Sequence, residues 1–105
     1  MTVREISEAD WRAEGAALFG PEDSWAFVCP ACKHVATVRQ WLDAGATPGE
    51  IGFSCIGRRT GGRSAFYDRG AGPCDYAGGG LIGLNPVRVI TTDGTVQQMM
   101  EWATP

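Results

Sequence analysis

Trp25-Ala26-Phe27-Val28-Cys29-Pro30-Ala31-Cys32 is an apolar run that ends in two cysteines separated by two residues. A strand that runs into such a turn delivers two thiolates at a spacing one metal ion can accept, and the turn's backbone amides point at the sulfurs. Two further cysteines, Cys55 and Cys74, complete a C-x2-C-x22-C-x18-C pattern. Their wide separation means that the second pair has to be assembled by the fold. Zinc favours four ligands in a closed structural site, and four cysteines supply them without another residue type. The expectation is a tetrahedral Zn2+ site formed by Cys29, Cys32, Cys55 and Cys74. His34, the one histidine, is a possible replacement for Cys55 or Cys74. Its place two residues past Cys32 reads instead as that of an incidental neighbour. Two disulfides are the other use for these sulfurs.

The rest of the composition bears on that choice. At 105 residues the chain reads as a single domain spanning 1–105, small enough for a staple to matter. Zinc binding in small peptides contributes roughly 10–16 kcal/mol, comparable with the roughly 5–15 kcal/mol net stability of a whole domain. Arg4, Glu5, Glu8, Asp10, Arg12 and Glu14 leave no room near the start for the apolar stretch of a signal peptide, and no later run approaches membrane length. The chain therefore reads as soluble and cytoplasmic, with no membrane partner. In a reducing compartment, cysteines are ligands more often than disulfides.

Working outward from the knuckle, Ser7 and Asp10 form a capping signal, and Trp11, Gly15, Leu18 and Phe19 form one stripe of a short helix that ends at Gly20-Pro21. Residues 24–28 read as a strand. Thr37 and Gln40 open a second helix of about two turns, with Val38, Trp41 and Leu42 on one face and Ala44-Gly45 at its end. Thr47-Pro48-Gly49 is a turn, and residues 51–55 read as a strand that brings Cys55 into place. Residues 57–80 form a long Gly/Arg-rich loop pinned by Cys74. Residues 87–92 and 95–102 flank Asp93-Gly94, the signature of a β-hairpin with a two-residue turn that begins after Asn85-Pro86. Most of the four tryptophans read as core. The fold class is α+β: a small zinc-ribbon-like domain with a short N-terminal helix, a sheet flanking the knuckle and a C-terminal hairpin.

Net charge is −3, which argues against a general nucleic-acid binder. The charge is uneven. Residues 1–23 hold six carboxylates against two arginines, whereas residues 58–69 hold Arg58, Arg59, Arg63 and Arg69 against Asp68. Those four arginines are the candidates for contacting an anion or nucleic-acid phosphates, in the manner of a nucleic-acid-binding zinc ribbon. A solvated loop tip is the plainer reading. Thiol redox chemistry at the C-P-x-C motif would follow the thioredoxin pattern, but it leaves Cys55 and Cys74 without a role. An H-x-E element upstream of the cysteines, as zinc deaminases carry, is absent, and with His34 as the lone histidine nothing local orients a catalytic base. The expectation is a non-enzyme.

Phe27-Val28-Cys29-Pro30-Ala31-Cys32-Lys33-His34, Phe53-Ser54-Cys55-Ile56-Gly57-Arg58, Gly72-Pro73-Cys74-Asp75-Tyr76 and Leu84-Asn85-Pro86-Val87 together resemble a family of small proteins from bacteriophages and prophage-bearing bacterial genomes. The resemblance runs from the first helix through the hairpin. It implies zinc at Cys29, Cys32, Cys55 and Cys74 and a phage-associated context, with no activity attached. The function expected on that footing is a non-enzymatic module that occupies a surface on a host protein in the host cytoplasm. An inhibitor of a defence system such as a CRISPR effector (an anti-CRISPR) is the specific version. Knuckles of this type place glycine after the second cysteine, where φ is positive. Lys33 stands there instead, at a cost on the order of 1 kcal/mol.

Overall fold

The structure, a computed structural model, describes residues 3–65, 72–80 and 83–103. In chain order it contains β1 (Arg4–Ser7), α1 (Glu8–Phe19), β2 (Ala26–Val28), β3 (Val35–Thr37), α2 (Val38–Asp43), α3 (Gly57–Thr60), β4 (Val87–Ile90), β5 (Val96–Met99) and β6 (Glu101–Trp102), with 3-10 turns at Glu22–Ser24 and Pro48–Glu50. The strands form two small sheets. One has the order β1-β4-β5, with β1 parallel and β5 antiparallel to β4, and the other is the antiparallel set β3-β2-β6. The class is α+β, as the patterning predicts.

Local chemistry explains most of these elements. The Ser7 hydroxyl accepts from the Asp10 N–H at 3.2 Å, and α1 ends at Gly20, whose φ of 79° few other residues would tolerate. A full capping box opens α2: Thr37 Oγ1 accepts from the Gln40 N–H, while the Gln40 side chain accepts from the Thr37 N–H. Trp11, Gly15 and Phe19 face inward along α1. Leu18 does not join them and is 45% exposed, and Leu42 of α2 is 42% exposed. Each helix presents a narrower face than the sequence pattern suggests, because the contact is made by flat aromatic rings. An added Cβ at Gly15 would lie 2.9 Å from both the Trp25 and Trp102 rings. Gly15 thus lets α1 approach the two indoles directly.

Three sequence expectations need correction. Residues 51–55 are not a strand: the Phe53 and Ser54 N–H groups both donate to the Glu50 carbonyl, and Gly52 has a φ of 67°. The turn begun by the Thr47–Glu50 capping box continues past Ile51, so helical-sense local bonds win over β propensity. The hairpin β4–β5 exists, but its connection spans residues 91–95. The Thr91 N–H meets the Thr95 carbonyl, and only Gly94, at φ 86°, is left-handed. A two-residue type I′ turn needs two left-handed residues, and Asp93 is not one. Finally, residues 95–102 are not one strand. After β5 the Met100 N–H donates to the Gly52 carbonyl at 2.7 Å, and β6 then crosses to the other sheet, where Trp102 pairs with Phe27. The strand β1 beside β4 has no counterpart in the sequence reading.

Trp25, Phe27, Trp41, Tyr76, Met100 and Trp102 form the main core together with Cys29, Cys55 and Cys74. Val87, Val89 and Met99 form a smaller cluster under the first sheet, and Trp11 packs against both. Trp102 packs against both Trp11 and Phe27 at centroid distances of 5.0 and 4.7 Å, and those two rings lie 6.2 Å from each other. Trp25, Trp41 and Trp102 are buried, in line with the core reading. Among the described residues no helix is long and apolar enough to cross a membrane.

Candidate metal centre

The knuckle grows out of the β2–β3 ladder. The Cys29 N–H donates to the His34 carbonyl at 3.0 Å and the Lys33 N–H to the Cys29 carbonyl at 2.9 Å, closing a turn around Pro30, Ala31 and Cys32. Closing it requires one left-handed residue. That residue is Lys33, at φ 67°, the only non-glycine with positive φ among the described residues. The strand β3 follows this turn, so neither cysteine stands at a helix N-terminus, the arrangement that activates a thioredoxin-type thiolate.

Cys55 and Cys74 arrive by a different route. The Cys55 N–H donates to the Tyr76 carbonyl at 2.9 Å, which ties the start of the loop to its return. The Asp75 N–H donates to the Arg63 carbonyl at 2.8 Å, and Arg63 and Cys74 form a parallel bridge. Gly57 is the contact point, because an added Cβ would lie 2.1 Å from the Cys74 carbonyl oxygen. In sequence this glycine belongs to a mobile-looking Gly/Arg run. In the fold it is where two segments touch backbone to backbone, and the Cys-x-Gly spacing is the only sequence hint of it.

The four sulfurs converge to within 4.8 Å of one another. Cys29 Sγ lies 3.9 Å from Cys74 Sγ, and Cys32 Sγ lies 3.7 Å from Cys55 Sγ. A regular tetrahedron with metal–sulfur bonds of about 2.3 Å has sulfur–sulfur edges of about 3.8 Å. A disulfide requires about 2.05 Å, and all four cysteines are free. A backbone amide also meets the cluster: the Cys74 N–H donates to Cys55 Sγ at 3.4 Å. Amides aimed at sulfur favour the thiolate. The donor set therefore fits a tetrahedral, thiophilic metal ion, and these four residues could hold one.

Proton affinities fit that reading. Cys55 is drawn down to about 5, first by the neighbouring Cys29 thiol and then by the backbone around Gly57 and Cys74. Cys29 moves up beside the Cys55 sulfur and through burial, and Cys74 is pushed up to about 11, chiefly by burial. Burial also raises the Tyr76 phenol beneath the cluster. Four thiolates this close need a cation to offset their repulsion.

His34 is half-buried and stays outside the group of four, contributing its carbonyl to Cys29. Three of the four candidate arginines lie among the described residues, each with a contact there. Arg59 is bound by Glu50 at 2.6 Å, Arg58 donates to the Asp75 carbonyl at 3.1 Å, and the Arg63 backbone belongs to the clasp around Cys74. Arg69 lies outside the described residues.

A family model described as VVA0879-like matches residues 7–103. The chain belongs to the VVA0879-like family. The match covers α1, the knuckle, the two later cysteines and every strand but β1, so the four-cysteine cluster lies inside the VVA0879-like region. No curated protein and no solved structure matches this VVA0879-like chain.

Proposed function

We propose that Cys29, Cys32, Cys55 and Cys74 hold a zinc ion as a closed structural site, and that the protein acts without catalysis as a zinc-stapled protein-interaction module. The observation that carries this reading is the convergence of the four sulfurs to within 4.8 Å of one another, with the Cys74 N–H donating to Cys55 Sγ. Four protein ligands fill a tetrahedral shell and leave no position for substrate or water, the mark that separates structural from catalytic zinc. When bound, the ion supplies cross-linking: it joins the knuckle to the segments that end at Cys55 and Cys74.

A protein partner is favoured over nucleic acid by the net charge of −3 and by the pairing of Arg59 with Glu50. The resemblance to phage-encoded proteins directs the search to host proteins in the cytoplasm, with CRISPR effectors among them. Affinity purification from host extract, compared between the intact chain and Cys74→Ser, tests this reading. One stoichiometric protein partner, lost with the metal, is the expected result. Retention of nucleic acid that falls steeply with salt and disappears on Arg58→Ala would replace it with the zinc-ribbon reading.

A further inference from the structure

Among the described residues, β5 pairs with β4 and with no strand on its other side. The register fixes which polar groups face outward. The bond from the Thr91 N–H to the Thr95 carbonyl makes 91 and 95 a hydrogen-bonded pair, so Val89 with Gln97 and Val87 with Met99 are hydrogen-bonded pairs as well. Val96 and Gln98 therefore turn their N–H and C=O groups away from β4. Toward Met100 this outer edge is occupied: the Met100 N–H donates to the Gly52 carbonyl, and Asn85 Nδ2 donates to the carbonyls of Gln98 and Phe53, both at 3.0 Å. Toward Val96 the edge opens onto a cleft of about 630 Å³ whose walls include Pro48, Ile51, Phe53, Gly79 and Met99.

The two edges of this sheet are treated differently. On β1, Arg4 is held by Glu14 and Glu101 and Glu5 faces Arg88, so that edge carries charge. Proteins keep exposed edges from pairing with charges, prolines and bulges. Residues 95–100 contain none of these charges or prolines, and no charged side chain lines the cleft.

We propose that the β5 edge receives an extended, uncharged segment of a partner protein, which adds as a further strand beside residues 96–98. The Val96 N–H and C=O and the Gln98 N–H would bond its backbone, and its apolar side chains would enter the cleft against Ile51, Phe53 and Met99. The open edge spans about 10 Å at roughly 3.3 Å per residue, enough for a short segment. A second copy of the chain is a poorer occupant, because its own β5 carries the wall of residues 48–53 along the same edge. This inference rests on the interaction reading above and names its surface.

The test selects short random peptides, displayed on phage, against the full metal-loaded chain, and follows binding of the enriched peptide by amide NMR. Uncharged sequences with alternating apolar residues are expected, shifting amides at residues 96–98 and 48–53. Gln98→Pro removes an outward N–H and leaves the bonds to β4 in place, a substitution edge strands tolerate. Val96→Lys keeps every backbone group and adds a guarding charge. Each should weaken binding at least about tenfold, a change of about 1.4 kcal/mol, with metal content unchanged. No enriched peptide, equal binding to both variants, or a dimer abolished by the same substitutions would overturn the proposal. A partner captured in a metal-dependent way but indifferent to both variants would overturn the β5 surface and leave the interaction reading standing.

Discussion

The sheet β1-β4-β5 with α1 and the clasp around the four cysteines solve the same problem by different means. In the sheet, Val87 and Val89 are buried on one face while Arg88 and Ile90 are half-buried on the other, and two continuous ladders satisfy the backbone of β4. Alternation and ladders are enough there. In the clasp, between α2 and β4, the described residues carry a four-residue helix, a 3-10 turn at Pro48–Glu50, further turns, and single backbone bonds such as that from Cys55 to Tyr76. Its apolar residues sit in the same core as the cysteines, and its described segments meet one another at Cys55, Gly57 and Cys74. Chain that cannot build its own ladders needs a cross-link to offset the entropy of ordering it.

The comparison breaks most visibly if the metal is removed. Cys74→Ser should lower Tm by more than about 15 °C, the loss of several kcal/mol in a chain of this size. Hydrogen exchange on the chelated protein should show residues 29–34 and 55–65 losing protection before the β4 amides. Equal loss everywhere would mean that the two regions share one source of stability.

A pair of conservative substitutions separates the regions more sharply. Gly57→Ala drives a methyl toward the Cys74 carbonyl and should cost about 3 kcal/mol while weakening metal binding at least tenfold. Val89→Ala should cost about 2 kcal/mol with metal stoichiometry intact. Chemical denaturation combined with a metal-competition assay reads both effects. If Val89→Ala weakened the metal as much as Gly57→Ala, the separation would fail.

Smaller effects refine the clasp. Lys33→Gly relieves the left-handed strain at φ 67° and should stabilise the metal-loaded protein by about 0.5–1 kcal/mol. Destabilisation would show that the Lys33 ammonium contact with the Pro30 carbonyl outweighs the strain. The weakest test concerns Glu50, which the Arg59 guanidinium and the Thr47 amide and hydroxyl pull from 4.5 to about 2. A depressed carboxylate stabilises the fold above its ordinary pKa and loses that contribution as pH falls toward the folded value. The stability difference between wild type and Glu50→Gln should therefore be constant at neutral pH and shrink between about 4.5 and about 2. A constant difference through that range would remove the ion pair from the account.

What could be read in the sequence divides along the same line. Ser7, Thr37 with Gln40, and the cysteine framework act locally or through well-known chemistry, so α1, α2 and the grouping of the four cysteines are legible in the sequence. The strand expected at residues 51–55 failed because the Glu50 carbonyl captures two later amides. The single strand expected at residues 95–102 failed because Met100 bonds to Gly52, a partner far away in sequence. Gly57, Tyr76 and Asn85 owe their roles to contacts that only the folded chain creates, and composition signals none of them. The basic character of Arg58 and Arg59 is legible in the sequence, whereas the pairing of Arg59 with Glu50 is a contact only the folded chain shows.

The most direct test of the central claim is native mass spectrometry of protein purified under reducing conditions without chelator. The account predicts about one zinc ion per chain, abolished in Cys74→Ser. Less than about half an equivalent of zinc in the wild-type chain, or a set of intramolecular disulfides in its place, would contradict it.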